Sequence, residues 1–220
     1  MDAKRLFPLG GIAFVVLVVG TIVGVGGSTP GTDASASELA SFYSDHAVRQ
    51  GLGSFMLAAS VPFVLVFGIG LATAIAARPA GGLTAWGDVL MAGTILVAGA
   101  VLLTAVVHFA LANGADEDIS PVALQALNSL DGNTWMAFNP AFGVMMLGAA
   151  GVLISARVLT WLGWIALVVG VAAFIPIADF FALLATLLWI VVTGVTLTRR
   201  AAPPLPEPRL DGEATLATST

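Results

Sequence analysis

Four polar side chains stand out in a chain otherwise short of them. His108, Asn139 and Asp179 lie inside or at the edge of long apolar stretches, and His46 lies on the apolar face of a segment outside them. A polar group inside a bilayer is costly, so each is a functional candidate by default. A histidine beside a carboxylate is a proton carrier and a physiological-pH switch. His108 paired with Asp179 could therefore gate a proton or hold a small polar or cationic ligand. Asn139 precedes Pro140, whose missing N–H and ring clash should bend the helix and bare a carbonyl. At about 1.5 Å per residue, all three fall within roughly 10 Å of one membrane surface. They could share a layer there, with His46 closing it from above. The chemistry expected is an outward-facing polar pocket; the alternative is a set of interfacial residues that hydrogen-bond loop backbone and one another.

Other chemistries lack their residues. The chain has no cysteine, which excludes disulfides, thiol catalysis and thiolate metal sites. There is no H-E-x-x-H, no G-x-S-x-G and no P-loop. With two histidines and no thiol, neither a metal nor another cofactor is expected. Asp88 and Asp179 cannot form a carboxylate dyad, because about 30 Å of bilayer separates their helix ends. Asp88 is expected to cap its helix or to pair with Arg78 or Arg157. Two hydroxyl stripes, Thr94–Thr104–His108 and Asp179–Thr186–Thr193, read as packing seams in which hydroxyls satisfy backbone carbonyls.

The elements that must position these residues follow from composition. The 220 residues are 58% apolar and 10% charged, with mean hydropathy +1.00. Soluble domains have about 25% charged residues. Six charge-free stretches, at about 6–27, 51–77, 89–112, 134–156, 158–178 and 180–198, each approach or exceed the 17–25 residues or so that cross a bilayer as a helix. The fold class expected is all-α: a polytopic bundle of six transmembrane helices with two short amphipathic outer helices, forming one domain over 1–200. Residues 201–220, rich in proline, are expected to be a disordered cytoplasmic tail. Pro203-x-x-Pro206 there reads as spacer rather than polyproline ligand.

Sidedness comes from basic residues near span ends. With the N-terminus inside, Lys4, Arg5, Arg78, Arg157, Arg199, Arg200 and Arg209 are cytoplasmic and Arg49 alone is outside. The outer face then carries eight acids against that one arginine. Both termini are expected in the cytoplasm and the protein in an inner or plasma membrane. Trp86, Trp135, Trp161 and Trp164 fall near span ends, where aromatic belts sit; Trp189 lies deep in the last span. Lys4-Arg5 and Ala34-Ser35-Ala36 resemble a signal peptide, but the 22-residue apolar run is longer than the usual 7–15 or so, and span one is expected to stay.

The outer segments have helix signatures of their own. Ser35-x-x-Glu38 is a capping box, followed by Leu39, Phe42, Tyr43 and His46 on one face. Asp45 and Arg49 form an i,i+4 pair. Ser120 is a candidate N-cap with Pro121 behind it, and Leu124 and Leu127 supply an apolar face. These helices should lie on the bilayer or cap the bundle. The first two hairpins share a plan of span, outer helix and proline-broken span (Pro62, Pro140), a faint sign of duplication. Gly20-x-x-x-Gly24 is a close-packing motif.

The runs Ser37-Glu-Leu-Ala-Ser-Phe-Tyr-Ser-Asp-His46 and Arg157-Val-Leu-Thr-Trp161-Leu-Gly-Trp164, with Gly170 and Pro176, resemble small six-span membrane proteins of high-GC Gram-positive bacteria that carry a domain of unknown function. The resemblance covers most of the chain except the tail. It implies fold and topology, and no activity. The function expected is non-enzymatic: a scaffold or accessory protein binding lipid, a membrane partner or a second copy of itself, with no nucleic acid. The alternative is a small-solute or proton-coupled transporter, or a ligand-binding protein, that uses the outward-facing pocket.

Overall fold

Hydrocarbon offers no partner to a backbone N–H or C=O, so an apolar run in lipid must satisfy its own backbone, and a helix does so within one segment. In a computed structural model, which describes residues 7–26, 29–76, 83–117 and 119–200, every regular element is helical. The order is α1 (Phe7–Val19), a π-helical continuation (Gly20–Gly26), α2 (Ala36–Ala76), α3 (Leu83–Asp116), α4 (Pro121–Gly132), α5 (Trp135–Ser155), α6 (Thr160–Ala172) and α7 (Asp179–Arg200). Five helical segments are long and apolar enough to cross a membrane. The protein is an all-α, multi-pass membrane bundle. Lys4, Arg5, Arg78 and the tail 201–220 lie outside the described residues.

The first outer helix and span two form one helix of 41 residues. At 1.5 Å per residue it runs roughly 60 Å, twice the hydrocarbon thickness of about 30 Å. Its first turns therefore stand clear of the bundle body. The capping box at its start is made: Ser35 N–H donates to Glu38 Oε2 (2.9 Å) and Glu38 N–H to Ser35 Oγ (3.3 Å). The Ser35 N–H and the Ser35 hydroxyl, which donates to the same Oε2 (2.9 Å), hold the exposed Glu38 carboxyl below its ordinary range. Neither Pro62 nor Pro140 ends its helix, which corrects the expectation of broken spans.

The fifth apolar stretch in chain order differs most from expectation. Only 13 of its residues are helical, about 20 Å of rise. It is entered through a tight reversal in which Arg157 and Leu159 take left-handed backbone (φ 55° and 50°), a conformation that costs an L-residue roughly 1–2 kcal/mol. It leaves through turns around Pro176.

Antiparallel packing sorts the chain into two ends. The Pro8 carbonyl lies 2.6 Å from where a Cβ on Gly194 would stand, so α1 starts where α7 finishes. The start of α2, the end of α3 and all of α4 meet at the opposite end. There Leu39, Tyr43, Leu111 and Leu124, all at most 2% exposed, form a small apolar core of their own. The outer helices thus cap the bundle. α4 begins as expected, with Ser120 Oγ accepting from Ala123 N–H (3.4 Å) and Pro121 in the first turn. Trp86, Trp135, Trp161 and Trp164 are 43–55% exposed. Trp189 is buried and donates Nε1–H to the Leu162 carbonyl (2.9 Å), which ties α7 to α6.

Lipid tails are as apolar as leucine, so close backbone approach replaces the hydrophobic effect between spans. The seam between α3 and α5 depends on two glycines. A Cβ on Gly93 would strike the Met145 backbone, and one on Gly148 the Leu90 backbone. Gly20-x-x-x-Gly24 does not act this way: Gly24 faces open space and Gly20 has only the end of the Met56 side chain near it. Gly148→Leu should therefore lower the melting temperature of the purified protein sharply or prevent its folding, whereas Gly24→Leu should shift it by no more than a degree or two. Thermal unfolding in detergent compares the two directly.

Candidate functional site

The polar residues at the capped end fall into two separate groups. The first bridges three helices. His108, near the end of α3, places Nδ1 3.1 Å from Asp131 Oδ2 on α4 and Nε2 2.7 Å from Gln50 Oε1 on α2. Gln50 is fully buried, and the His108 and Asp131 side chains are 12% and 16% exposed. With oxygen facing both ring nitrogens, the ring donates from both only as an imidazolium. With the Gln50 amide turned over, a neutral ring donates Nδ1–H to Asp131 and accepts at Nε2. Either state locks the cap to the spans. The Tyr43 ring sits edge-on to His108, with centroids 6.1 Å apart. Its buried hydroxyl and Asp131 Oδ1 have no protein partner.

The second group lies between α5 and α7. Asn139 Nδ2–H donates to Asp179 Oδ2 (3.1 Å), and Phe180 N–H donates to Asp179 Oδ1 (2.6 Å). Asp179 begins α7, where a carboxylate meets the positive end of the helix dipole. The pair borders a cavity of about 500 Å³, lined by Phe14, Val18, Leu57, Phe138, Phe142 and Leu183 among others. Ile22, Trp135 and Phe180, each 45–60% exposed, mark its edge. Thr104 also lines it, its hydroxyl turned back to the Ala100 carbonyl (3.1 Å).

His108 and Asp179 therefore do not pair, contrary to expectation. α4 folds back over α2 and α3 and delivers Asp131 to His108, while α5 presents Asn139 to Asp179. His46 joins neither group. Its Nδ1 is 2.8 Å from the Phe42 carbonyl and its ring stacks on Phe42 (4.7 Å). It lines a broad groove of about 780 Å³ on the cap, with Asp33, Glu38 and Asp45. Asp88 is exposed and sits well inside α3, not at its start, so it is no helix cap. The hydroxyl stripes do face inward, but differently. Thr94 bonds the Leu90 carbonyl (2.7 Å), whereas the buried Thr186 and Thr193 hydroxyls find no partner. Among the described residues no group of three or more His, Asp or Glu is placed to hold a metal.

Sequence reasoning missed Gln50, Asp131 and the aromatic wall of Trp135, Phe138, Phe142 and Phe180. Gln50 had a visible signal: it is a polar residue seven positions after Tyr43 and seven before Leu57, on the one helix face that stays buried. No protein-family model, curated protein or solved structure matches the chain.

Removing one partner from a buried pair leaves the other unsatisfied, at about 1–3 kcal/mol. His108→Ala should destabilise the protein by that amount and speed amide exchange first in α4 and in residues 36–50, since those segments lose their tie to α3. Exchange mass spectrometry at neutral pH reads this out; uniform exchange across the chain would contradict it.

Proposed function

We propose that this protein is a non-enzymatic membrane binding protein that holds a lipid-like, amphipathic molecule in the cavity between α1, α5 and α7. The observation that carries this reading is the union of an apolar cavity of about 500 Å³ with one polar pair, Asn139–Asp179, at a single place on its wall. Ligand cavities run from about 300 to 1,000 Å³, mostly apolar with a few placed polar groups that fix orientation. A tail would lie against Phe14, Leu57 and Leu187, and a head at Asn139 and Asp179. No nucleophile and base converge there, which favours binding over catalysis. The cavity likewise favours binding in a pocket over the scaffold or accessory role, with lipid or a partner held on outer helices and bundle faces, that led the sequence reading.

In this reading the chain crosses the membrane six times, with α6 and the turns on either side of it making the short crossing. An even number of crossings fits the juxtaposition of Pro8 and Gly194. The distribution of basic residues supports a cytoplasmic position for that end, and in this reading the cap and the cavity face outward from a bacterial plasma membrane.

Native mass spectrometry of the protein extracted in mild detergent tests the reading. The wild type should carry one lipid-sized adduct. Leu57→Trp, which fills the cavity, should lose it, and Leu96→Trp, on an exposed face of α3, should keep it. An adduct retained in Leu57→Trp, or none in the wild type, contradicts the proposal.

A further inference from the structure

The chemistry of the cavity wall selects the charge of what it binds. Among the described residues that line it, Asp179 is the one ionisable side chain, and no lysine, arginine or histidine is present. Most of the donors near it are already committed. The Asn139 amide and the Phe180 backbone N–H both point at the carboxylate, and the Thr104 hydroxyl donates back into its own helix. What remains for a ligand is carboxylate oxygen, π-face and, at the edge, the Trp135 indole N–H. Trp135, Phe138, Phe142 and Phe180 all contribute to the wall, and the Phe138 and Phe142 rings stack with centroids 6.2 Å apart.

A site that offers a carboxylate and ring faces, with no cationic side chain among its described lining residues, is hostile to phosphate, sulfate or carboxylate heads. It suits a cation, which ring quadrupoles attract and which gains further when desolvated. It suits in particular a cation with no hydrogens to donate, since aromatic faces are the recurrent receptors of quaternary ammonium groups. The apolar floor, running from Phe142 to Leu57 and Val18, would take a hydrocarbon chain attached to that head.

Resting on the binding reading above, we infer that the cavity is selective for lipophilic cations: an alkylammonium head held between Asp179 and the surrounding aromatic rings, with its hydrocarbon tail among Phe14, Val18 and Leu57. Asp179 supplies the charge and Asn139 orients the carboxylate. Selectivity by sign then arises from what the wall lacks as much as from what it has.

The experiment is equilibrium binding to the full chain in zwitterionic-lipid nanodiscs, with empty nanodiscs as blank. Three probes share an eight-carbon chain: octyltrimethylammonium, its uncharged isostere with a tert-butyl head, and octyl sulfate. The expected result is at least tenfold tighter binding of the ammonium than of the isostere, with no displacement by octyl sulfate. Asp179→Asn, which retains a residue competent to cap α7, should reduce the ammonium-to-isostere preference to threefold or less. Trp135→Leu provides a second variant that leaves the α7 cap untouched and should also narrow the preference. Equal binding of all three probes, abolished by Leu57→Trp, would overturn cation selectivity and leave the binding reading standing. No binding above blank by any probe would overturn both.

Discussion

A polar group in hydrocarbon must find its partner inside the protein, because the solvent offers none. That constraint decides more of this molecule than any single contact. It makes the spans helical, and it leads His108 and Asp179 to find partners across helices. His108 draws Gln50 and Asp131 to itself, and Asp179 draws Asn139. Each pairing joins elements distant in sequence: Gln50 and His108 are 58 residues apart, and Asn139 and Asp179 are 40 apart. The two groups serve different ends. The first fastens the cap to the spans, and the second sits on a cavity wall with room beside it.

The cavity depends on how the helices are spaced. Where α3 meets α5, Gly93 and Gly148 bring the backbones together with no space for a side chain between them. On the side where α1 and α7 approach α5, large residues stand instead: Phe14, Phe138, Phe142, Phe180 and Leu187. Phe14 and Phe142 hold their rings 6.4 Å apart. Glycines where α3 meets α5 and bulky residues where α1 and α7 approach it put the tight seam and the open space on different faces of the same helix. Asn139 lies on α5 close to Phe138 and Phe142, and so the polar pair and the aromatic wall come as one unit.

Most of the fold is legible in the sequence, and particular residues show why. The capping box at Ser35 and Glu38, the Ser120 cap and the faces formed by Leu39, Tyr43 and Leu124 all form as their local patterns dictate, since each rests on contacts within a turn or two. The union of the outer helix with span two was also written in the chain: Tyr43, Gln50, Leu57, Val64 and Leu71 recur every seven residues, and all are at most 7% exposed. A change of composition at residue 50 conceals that continuity, because polarity shifts there while the register does not. The shortness of α6 is less legible, because an apolar turn and an apolar helix look alike to hydropathy. The partner of His108 was not legible at all. Choosing Asp131 over Asp179 requires knowing which way α4 folds, and that follows from packing of Leu124 against Leu39 and Leu111. The close-packing glycines were hidden for a similar reason: Gly20 and Gly24 have the familiar spacing within one helix, whereas Gly93 and Gly148 matter because of what faces them.

The division of the polar residues into two independent groups is the claim from which both the cap and the proposed binding site follow. A pair of double-mutant cycles on stability in lipid nanodiscs tests it most directly. His108→Ala combined with Asp131→Asn should give a coupling energy of about 0.5–3 kcal/mol, as side chains in contact do, while His108→Ala combined with Asp179→Asn should be additive within about 0.5 kcal/mol. Strong coupling between His108 and Asp179, with none between His108 and Asp131, would contradict the account.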